Sequence, residues 1–128
     1  MTAPSPSAIA RGHDLERAVM AALGSLPGVV VHRNDVREVL DSRTGGRPMT
    51  GIGGKGAPDL LVEVVTAYGL TCAVWLECKA GDGAKLNPHQ RKWHSAATML
   101  GRHAYVVRSV EHARAIVESF RRGVVYVG

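Results

Sequence analysis

Residues 58–79 of this chain read PDLLVEVVTAYGLTCAVWLECK. Two apolar runs rich in β-branched residues, 59–66 and 70–79, lie on either side of a Tyr68-Gly69 turn. Strand-forming runs joined by a short, glycine-containing turn are typical of a β-hairpin. The stretch therefore predicts two neighbouring antiparallel strands.

Polar side chains mark the open end of this predicted hairpin. Side chains two apart on a strand point to the same face, so Glu77 and Lys79 share a face while Cys78 points to the other. If the strands pair about the turn, Asp59 lies directly opposite Glu77. Two carboxylates and an ammonium group are thus predicted to meet at one end of a sheet.

Helical and strand-like patterns surround the hairpin. Apolar residues at helical spacing predict a first helix capped by Asp14, and Asn87-Pro88 is a helix-start signal. The predicted elements are a helix at 14–26, strands at 29–34, 59–66 and 70–79, a helix from 88 to about 101, a strand at 104–108, a helix after Ser109 and a short strand at 124–127. This order, αβββαβαβ, predicts an α/β (α+β) fold with a mixed sheet flanked by helices.

The glycine-rich stretch between Asp41 and Gly56 is too irregular for a long element and is predicted to be a loop, with room for a short strand near residues 36–41. Residues 51–56 formally satisfy the G-x-G-x-x-G fingerprint of dinucleotide binders. That fingerprint follows a strand and opens a helix, whereas these glycines precede a strand. We therefore expect no nucleotide cofactor.

The length of 128 residues fits one domain. Residues 1–8 are rich in Pro, Ser and Ala and are predicted to be a flexible tail before a single domain of residues 9–128. Apolar runs fall well short of the roughly 20 residues of a spanning helix, and the N-terminus lacks the pattern of a secretory signal. Two cysteines, Cys72 and Cys78, fit a reducing compartment. We expect a cytoplasmic protein with free thiols and no membrane partner.

The formal net charge of +5 arises wholly in the second half of the chain. Residues 65–128 hold nine basic side chains against four acidic ones, while residues 1–64 balance. A basic surface favours a polyanionic partner, because binding phosphates releases counterions. With few aromatic residues, a platform of stacked bases is not expected.

The predicted acid pair indicates a metal. Adjacent carboxylates repel, and a hard divalent cation such as Mg²⁺ between them relieves the repulsion. The alternative for Glu77 and Lys79 alone is a salt bridge at a strand end, and that reading fits most Glu-x-Lys triplets.

Pro58-Asp59 followed by Glu77-Cys78-Lys79 resembles the signature of PD-(D/E)XK nucleases, and further segments are similar to the VRR-NUC branch of that superfamily. The similar segments cover roughly residues 12–118 and comprise Gly53 to Leu61, Trp75 to Lys79, Leu86 to Gln90, Gly101 and Val106 to Ser109. The resemblance implies a restriction-endonuclease-like core. It also implies a metal-dependent nuclease, of a kind that phages and prophages often encode.

The resemblance assigns roles to particular residues. Asp59 and Glu77 match the metal-binding carboxylates, with the backbone carbonyl of Cys78 as a further ligand of Mg²⁺ or Mn²⁺, and Lys79 matches the catalytic lysine. Gln90 matches a glutamine on the next helix, although a capping box with Asn87 explains it equally well. Glu16 looks like the family's acidic residue on the first helix, although an acid in a first helical turn also favours the helix dipole.

The leading hypothesis is a DNA endonuclease acting on branched, flapped or junction DNA, with a homodimer supplying two sites for two strands. A non-catalytic nucleic-acid binder and an RNA-directed nuclease are the alternatives. Six basic residues are candidates for the path of the phosphates, although a solvated basic face is the default reading of such residues. They are Arg43, Arg47, Lys55, Lys85, Arg91 and Lys92.

Overall fold

The computed structural model describes residues 6–37, 41–46, 50–81 and 84–128, with side chains from Gly12 onward. The described residues form three helices and four strands. In chain order these are α1 (Pro6–Gly24), β1 (Val29–Arg33), β2 (Leu60–Val65), β3 (Thr71–Cys78), α2 (Pro88–Met99), β4 (His103–Val107) and α3 (Val110–Arg121). Within these residues, no helix combines the length and apolar character needed to cross a membrane.

The four strands form one sheet in the order β1-β2-β3-β4. The first two pairings are antiparallel and the pairing of β3 with β4 is parallel. This mixed sheet, with helices packed against it, confirms the predicted fold class. Leu60 pairs with Leu76, so the register places Asp59 opposite Glu77 as the hairpin pattern predicted.

Apolar side chains fill both faces of the sheet because alternate residues of each strand point to opposite sides. Leu60, Val62 and Val64 of β2 are buried in the main core, which α1 and α3 cover. The other face carries a smaller cluster, in which Trp75 of β3 packs edge-to-face against Trp93 of α2. One helix layer therefore lies on each side of the sheet.

The first helix starts earlier than the sequence indicated. Helix α1 begins at Pro6, so Asp14 lies inside the helix and does not cap it. The helix includes residues 6–8 of the predicted tail, and residues 1–5 lie outside the described part. Proline is well suited to a first helical turn, and the alanine-containing stretch after it has high helix propensity. These features outweighed the capping signal of Asp14.

The predicted strand at 124–127 does not form. Gly123 adopts a left-handed conformation with φ of 81°, and the N–H of Val124 donates to the carbonyl of Ser119, which closes α3 in a Schellman motif. The Ser119 hydroxyl then donates to the Val124 carbonyl, and the Tyr105 hydroxyl to that of Tyr126. Side chains thus take carbonyls that a strand would have paired.

The short strand for which the sequence left room near residues 36–41 is not seen in residues 36 and 37, and residues 38–40 lie outside the described part. The carbonyl of Arg37 instead accepts a hydrogen bond from the N–H of Thr50 across the glycine-rich loop.

Residues 51–58 form a loop that is fixed at both sides. On one side the buried Asn34 bonds the loop through both ends of its amide: Oδ1 accepts from the N–H of Ile52, and Nδ2 donates to the carbonyls of Ile52 and Pro58. On the other side Trp93 donates through Nε1 to the carbonyl of Gly53 at 2.8 Å. The loop precedes β2, as predicted, and sets the position at which Asp59 enters the sheet.

Gly56 is where the loop approaches α2 most closely. A Cβ atom at Gly56 would lie 2.3 Å from the backbone oxygen of His89, whereas a Cβ atom at Gly54 would meet open space, and both glycines have positive φ. We expect Gly54→Ala to lower the free energy of unfolding by about 1–2 kcal/mol through backbone strain alone. Gly56→Ala should cost about 1–3 kcal/mol more through overpacking. Urea denaturation of the two variants tests this, and equal losses would contradict the close packing.

Candidate active site

The carboxylates of Asp59 and Glu77 are each held by a backbone N–H of the neighbouring strand end. The N–H of Asp59 donates to Oε2 of Glu77 at 3.1 Å, and the N–H of Cys78 donates to Oδ2 of Asp59 at 2.9 Å. The hairpin register brings these groups together, because the last residue of β3 lies beside the residue that precedes β2. Each carboxylate is thereby held in one orientation at the end of the sheet.

Glu77 is buried, with 2% of its surface exposed. Its Oε1 atom accepts a hydrogen bond from Nε2 of Gln90 at 2.7 Å and lies 3.6 Å from Nζ of Lys79. The ion pair of Glu77 and Lys79, which the sequence offered as the alternative to a metal site, is therefore present, but it belongs to a larger cluster with Asp59 and Gln90. Lys79 keeps part of its side chain exposed at this end of the sheet.

Burial dominates the electrostatics of the acid pair. It raises the pKa of Glu77 to about 8, with the charge of Asp59 adding to the effect and the charge of Lys79 opposing it. Burial also raises the pKa of Asp59, against the hydrogen bond from Cys78 and the charge of Lys79. The pair is an electrostatically unfavourable arrangement that a cation would stabilise.

Gln90 completes the capping box that the sequence left open and also contacts the acid pair. Its Oε1 accepts from the N–H of Asn87, and the Asn87 side chain accepts from the N–H of Gln90, which completes a capping box at the start of α2. Its amide nitrogen is the donor to Glu77. The two ends of one amide thus connect the start of a helix to the acid pair.

Glu16 lies well inside α1, because the helix begins at Pro6. The helix-dipole explanation for an acid in a first turn therefore does not apply. Glu16 is buried, and its Oε1 accepts a hydrogen bond from Nε of Arg33 at 3.0 Å. Burial and the charge of Asp59 raise its pKa, whereas Arg33 lowers it.

A cleft of about 340 Å³ opens beside the acid pair, between α1, the 51–58 loop and the start of α2. Asp59 and Gln90, which both donate hydrogen bonds to Glu77, contribute to its wall, as does Glu16. The full lining consists of His13, Glu16, Arg33, Asn34, Asp35, Val36, Lys55, Gly56, Ala57, Asp59, Asn87, His89 and Gln90. Of the sequence-predicted site residues, Glu16, Asp59 and Gln90 therefore line one concave site, whereas Glu77 and Lys79 lie outside its lining, with Glu77 bonded to two of the lining residues.

Among the described basic candidates, Lys55 alone lines this cleft. Arg43 lies 3.8 Å from Asp41 in an exposed ion pair, and Arg91 donates to the carbonyl of Leu86. Lys85 and Lys92 are exposed outside the cleft lining. Arg47 lies outside the described residues.

Arg33 and Asn34 are the functional candidates that the sequence pattern missed. Arg33 is the last residue of β1, and the backbone of Asn34 pairs with that of Asp59. The signal that could have found them is the register of β1 against β2. That register joins segments separated by the whole glycine-rich loop, so no local pattern reveals it.

The donors available to a cation here are carboxylate oxygens. The side chain of Cys78 packs in the main core, and its backbone N–H donates to Asp59. The backbone of Cys78 therefore borders the acid pair. Within the described residues, no group of three or more His, Cys, Asp or Glu side chains has metal-binding geometry. Two carboxylates match Mg²⁺, which binds through one or two such groups and keeps several waters.

The described residues thus form a mixed sheet with helices on both faces, in which Asp59 lies opposite Glu77 near the end of β3. No family model matches the chain, and no curated protein matches it. A solved structure described as a VRR_NUC domain is similar over 86% of this chain and 97% of that chain, with 22% identity and a TM-score of 0.55. The likeness confirms the VRR-NUC fold that the motifs indicated.

Proton binding by Glu77 predicts how stability depends on pH in the absence of metal. The pKa rises from 4.5 to about 8 on folding, so the folded state holds a proton that the unfolded chain releases. Stability should therefore fall as the pH rises between these two values. We expect urea denaturation in EDTA to show this fall in the wild-type protein and a much flatter profile in Glu77→Gln.

Glu111→Gln is the matched control, because Glu111 is an exposed acid at the start of α3. It should retain the wild-type pH profile. A profile of Glu77→Gln that follows the wild type would show that Glu77 does not bind the proton.

Proposed function

We propose that this protein is a metal-dependent nuclease that hydrolyses phosphodiester bonds in DNA through Asp59, Glu77 and Lys79. The observation that carries the proposal is the buried, hydrogen-bonded acid pair beside an open cleft, with a lysine amine 3.6 Å from one carboxylate. Stability alone does not require two carboxylates to be buried side by side, and perturbed acids in a cleft are a mark of functional sites. The VRR-NUC fold supports the same proposal.

Asp59 and Glu77 would hold Mg²⁺ or Mn²⁺, together with the backbone carbonyl of Cys78. Such an ion lowers the pKa of a coordinated water and stabilises the charge that develops on an attacked phosphodiester. The fit rests on the acid pair, because burial, with the charge of Asp59 adding to it, raises the pKa of Glu77 to about 8, and a cation would favour the ionised form of the pair.

The residues of the chain have separate tasks in this proposal. Hydrolysis forms a bond from a water oxygen to phosphorus and breaks the bond to a sugar oxygen, which leaves with a proton. Lys79 would neutralise charge on the phosphate or hold the attacking water. Gln90 fixes the orientation of Glu77 through the 2.7 Å hydrogen bond.

DNA of irregular structure, such as flaps and junctions, is the proposed substrate. The supporting observation is the shape of the site, which is one cleft at the end of one small sheet. Such a cleft can engage a backbone at a distortion but offers little surface for reading a long base sequence. A homodimer would present two such sites to two strands.

Asp59→Asn should abolish cleavage while the fold persists, because it removes one of two repelling charges and leaves an amide of the same shape. The test is a panel of duplex, nicked, flapped and four-way-junction DNA with Mg²⁺ or Mn²⁺. Isothermal titration should show that metal affinity is largely lost. Glu63→Gln is the control, because Glu63 is an exposed acid on β2, four residues from Asp59 on the same face, and this variant should cleave normally.

Three outcomes would contradict the proposal. Full activity in EDTA, or in Asp59→Asn, would exclude the acid pair from the chemistry. Binding without cleavage by the wild-type protein would indicate a non-catalytic binder. Cleavage of RNA but not of DNA in a parallel panel would indicate an RNA-directed enzyme.

Lys79→Ala separates a catalytic lysine from a salt-bridge partner. Electrostatic stabilisation of a transition state is typically worth about 2.7–4 kcal/mol, so a catalytic Lys79 predicts a loss of rate of about a hundredfold or more. Because the pair is largely buried, Lys79→Ala should also lower Tm by leaving Glu77 without its cation, so the rate is measured well below that Tm. A lysine that is only a salt-bridge partner would change Tm and leave the rate of the folded protein unchanged. Cleavage at saturating substrate and a thermal melt measure the two quantities.

Arg114→Ala is the control for this variant, because it removes a positive charge from an exposed position on α3. It should retain the wild-type rate. A wild-type cleavage rate in Lys79→Ala would show that Lys79 is only the ion-pair partner of Glu77 and has no catalytic role.

A further inference from the structure

The end of β1 places one arginine on the opposite side of the cleft from α2. Arg33 pairs with Leu60, whose side chain enters the main core beneath α1. Directly opposite residues of an antiparallel pair point to the same face. The Arg33 side chain therefore leaves the sheet on the α1 side, whereas Gln90 approaches from the α2 side.

The contact with Glu16 fixes the orientation of Arg33. The guanidinium uses Nε to donate to Oε1 of Glu16 at 3.0 Å. Because the guanidinium is planar and its five N–H donors have fixed directions, one bond at Nε orients the whole group. About 60% of the side chain stays exposed, and Arg33 lines the cleft.

The acid that binds Arg33 is buried, whereas most surface arginines pair with exposed acids. Glu16 is 8% exposed, so the pair joins a buried acid to a cation in contact with solvent. A side chain that is held at its inner nitrogen and open at its outer edge has little conformational entropy to lose on binding a ligand. The arrangement thus preorganises the Nη edge of Arg33.

The cleft needs positive charge if it is to accept a phosphate. Glu16 and Asp59 both contribute to its wall, and both would repel an anion. The guanidinium of Arg33 bonds Glu16 and lines the same cleft as Asp59. Lys55 lines the same cleft from the glycine loop. Arg33 therefore shares the cleft with Asp59, one member of the acid pair, where a substrate phosphate would have to lie.

We propose that Arg33 binds a backbone phosphate of the substrate through its Nη edge, while Glu16 positions it through Nε. The inference rests on the proposed function, because it needs a nucleic acid in the cleft. It assigns Glu16 to positioning Arg33. Guanidinium groups bind phosphate oxygens through paired N–H donors, so the geometry suits this ligand.

The test is nucleic-acid binding measured in EDTA, where cleavage is absent. Fluorescence anisotropy with a labelled flap DNA over a range of KCl concentrations gives the slope of log Kd against log salt, and each neutralised phosphate contributes about 0.9 to that slope. Arg33→Gln should reduce the slope by about one and weaken binding. Glu16→Gln should keep the slope, because the cation remains.

Two further variants make the result interpretable. Arg37→Gln removes an exposed arginine that pairs with Asp35 and does not line the cleft, so its slope should equal that of the wild type. Arg33→Gln leaves Glu16 buried without its cation, which could disturb the fold. The double variant Glu16→Gln/Arg33→Gln removes both charges together and should show the same reduced slope with a native circular dichroism spectrum.

The outcomes separate this inference from the proposed function. Wild-type slopes in Arg33→Gln and in the double variant would overturn the role of Arg33, while the nuclease assignment would stand on its own cleavage assay. A reduced slope in Glu16→Gln as large as that in Arg33→Gln would also overturn it, since general disturbance of the cleft would then explain both. A wild-type protein that neither binds nor cleaves nucleic acid would overturn the proposed function itself.

Discussion

The hydrogen bonds from the backbone of Asp59 and Cys78 to the carboxylates of Glu77 and Asp59 are the constraint around which this end of the molecule is organised. Each backbone N–H that serves the pair comes from a strand boundary, so the carboxylates keep their partners only while the β2–β3 register holds. Burying neighbouring carboxylates is costly unless donors and cations surround them. Lys79 and Gln90 provide part of that compensation, and the remainder is left for whatever binds in the cleft.

Local and near-local features of the fold could be predicted from sequence. The hairpin register followed from a tight turn and a period of two, and both are properties of adjacent residues. The start of α1 was wrong because a plausible capping residue, Asp14, lay inside a segment that remains helical. The C-terminal strand was wrong because strand propensity in 124–127 was outweighed by the capping motif of α3 and by side-chain hydrogen bonds to its carbonyls.

The residues of the candidate site also divide into those that local sequence could predict and those that it could not. Asp59, Glu77 and Lys79 lie on one hairpin, and the sequence brought them together correctly. Arg33 and the Asn34 clamp depend on how β1 pairs with β2, and the segment between those strands carries no periodic pattern. Six basic residues were equally plausible phosphate contacts in sequence. Only the three-dimensional structure shows that, of those it describes, Lys55 lines the cleft.

The double use of Gln90 limits how this domain can be stabilised. At the third position of a helix, glutamate is the usual alternative in a capping box, and it also favours the helix dipole. Here that exchange would keep the acceptor for the Asn87 N–H but would replace the donor to Glu77 with a third carboxylate. A change that benefits most helices would therefore work against the cluster, so the acid pair, and not the helix, determines which side chain this position tolerates.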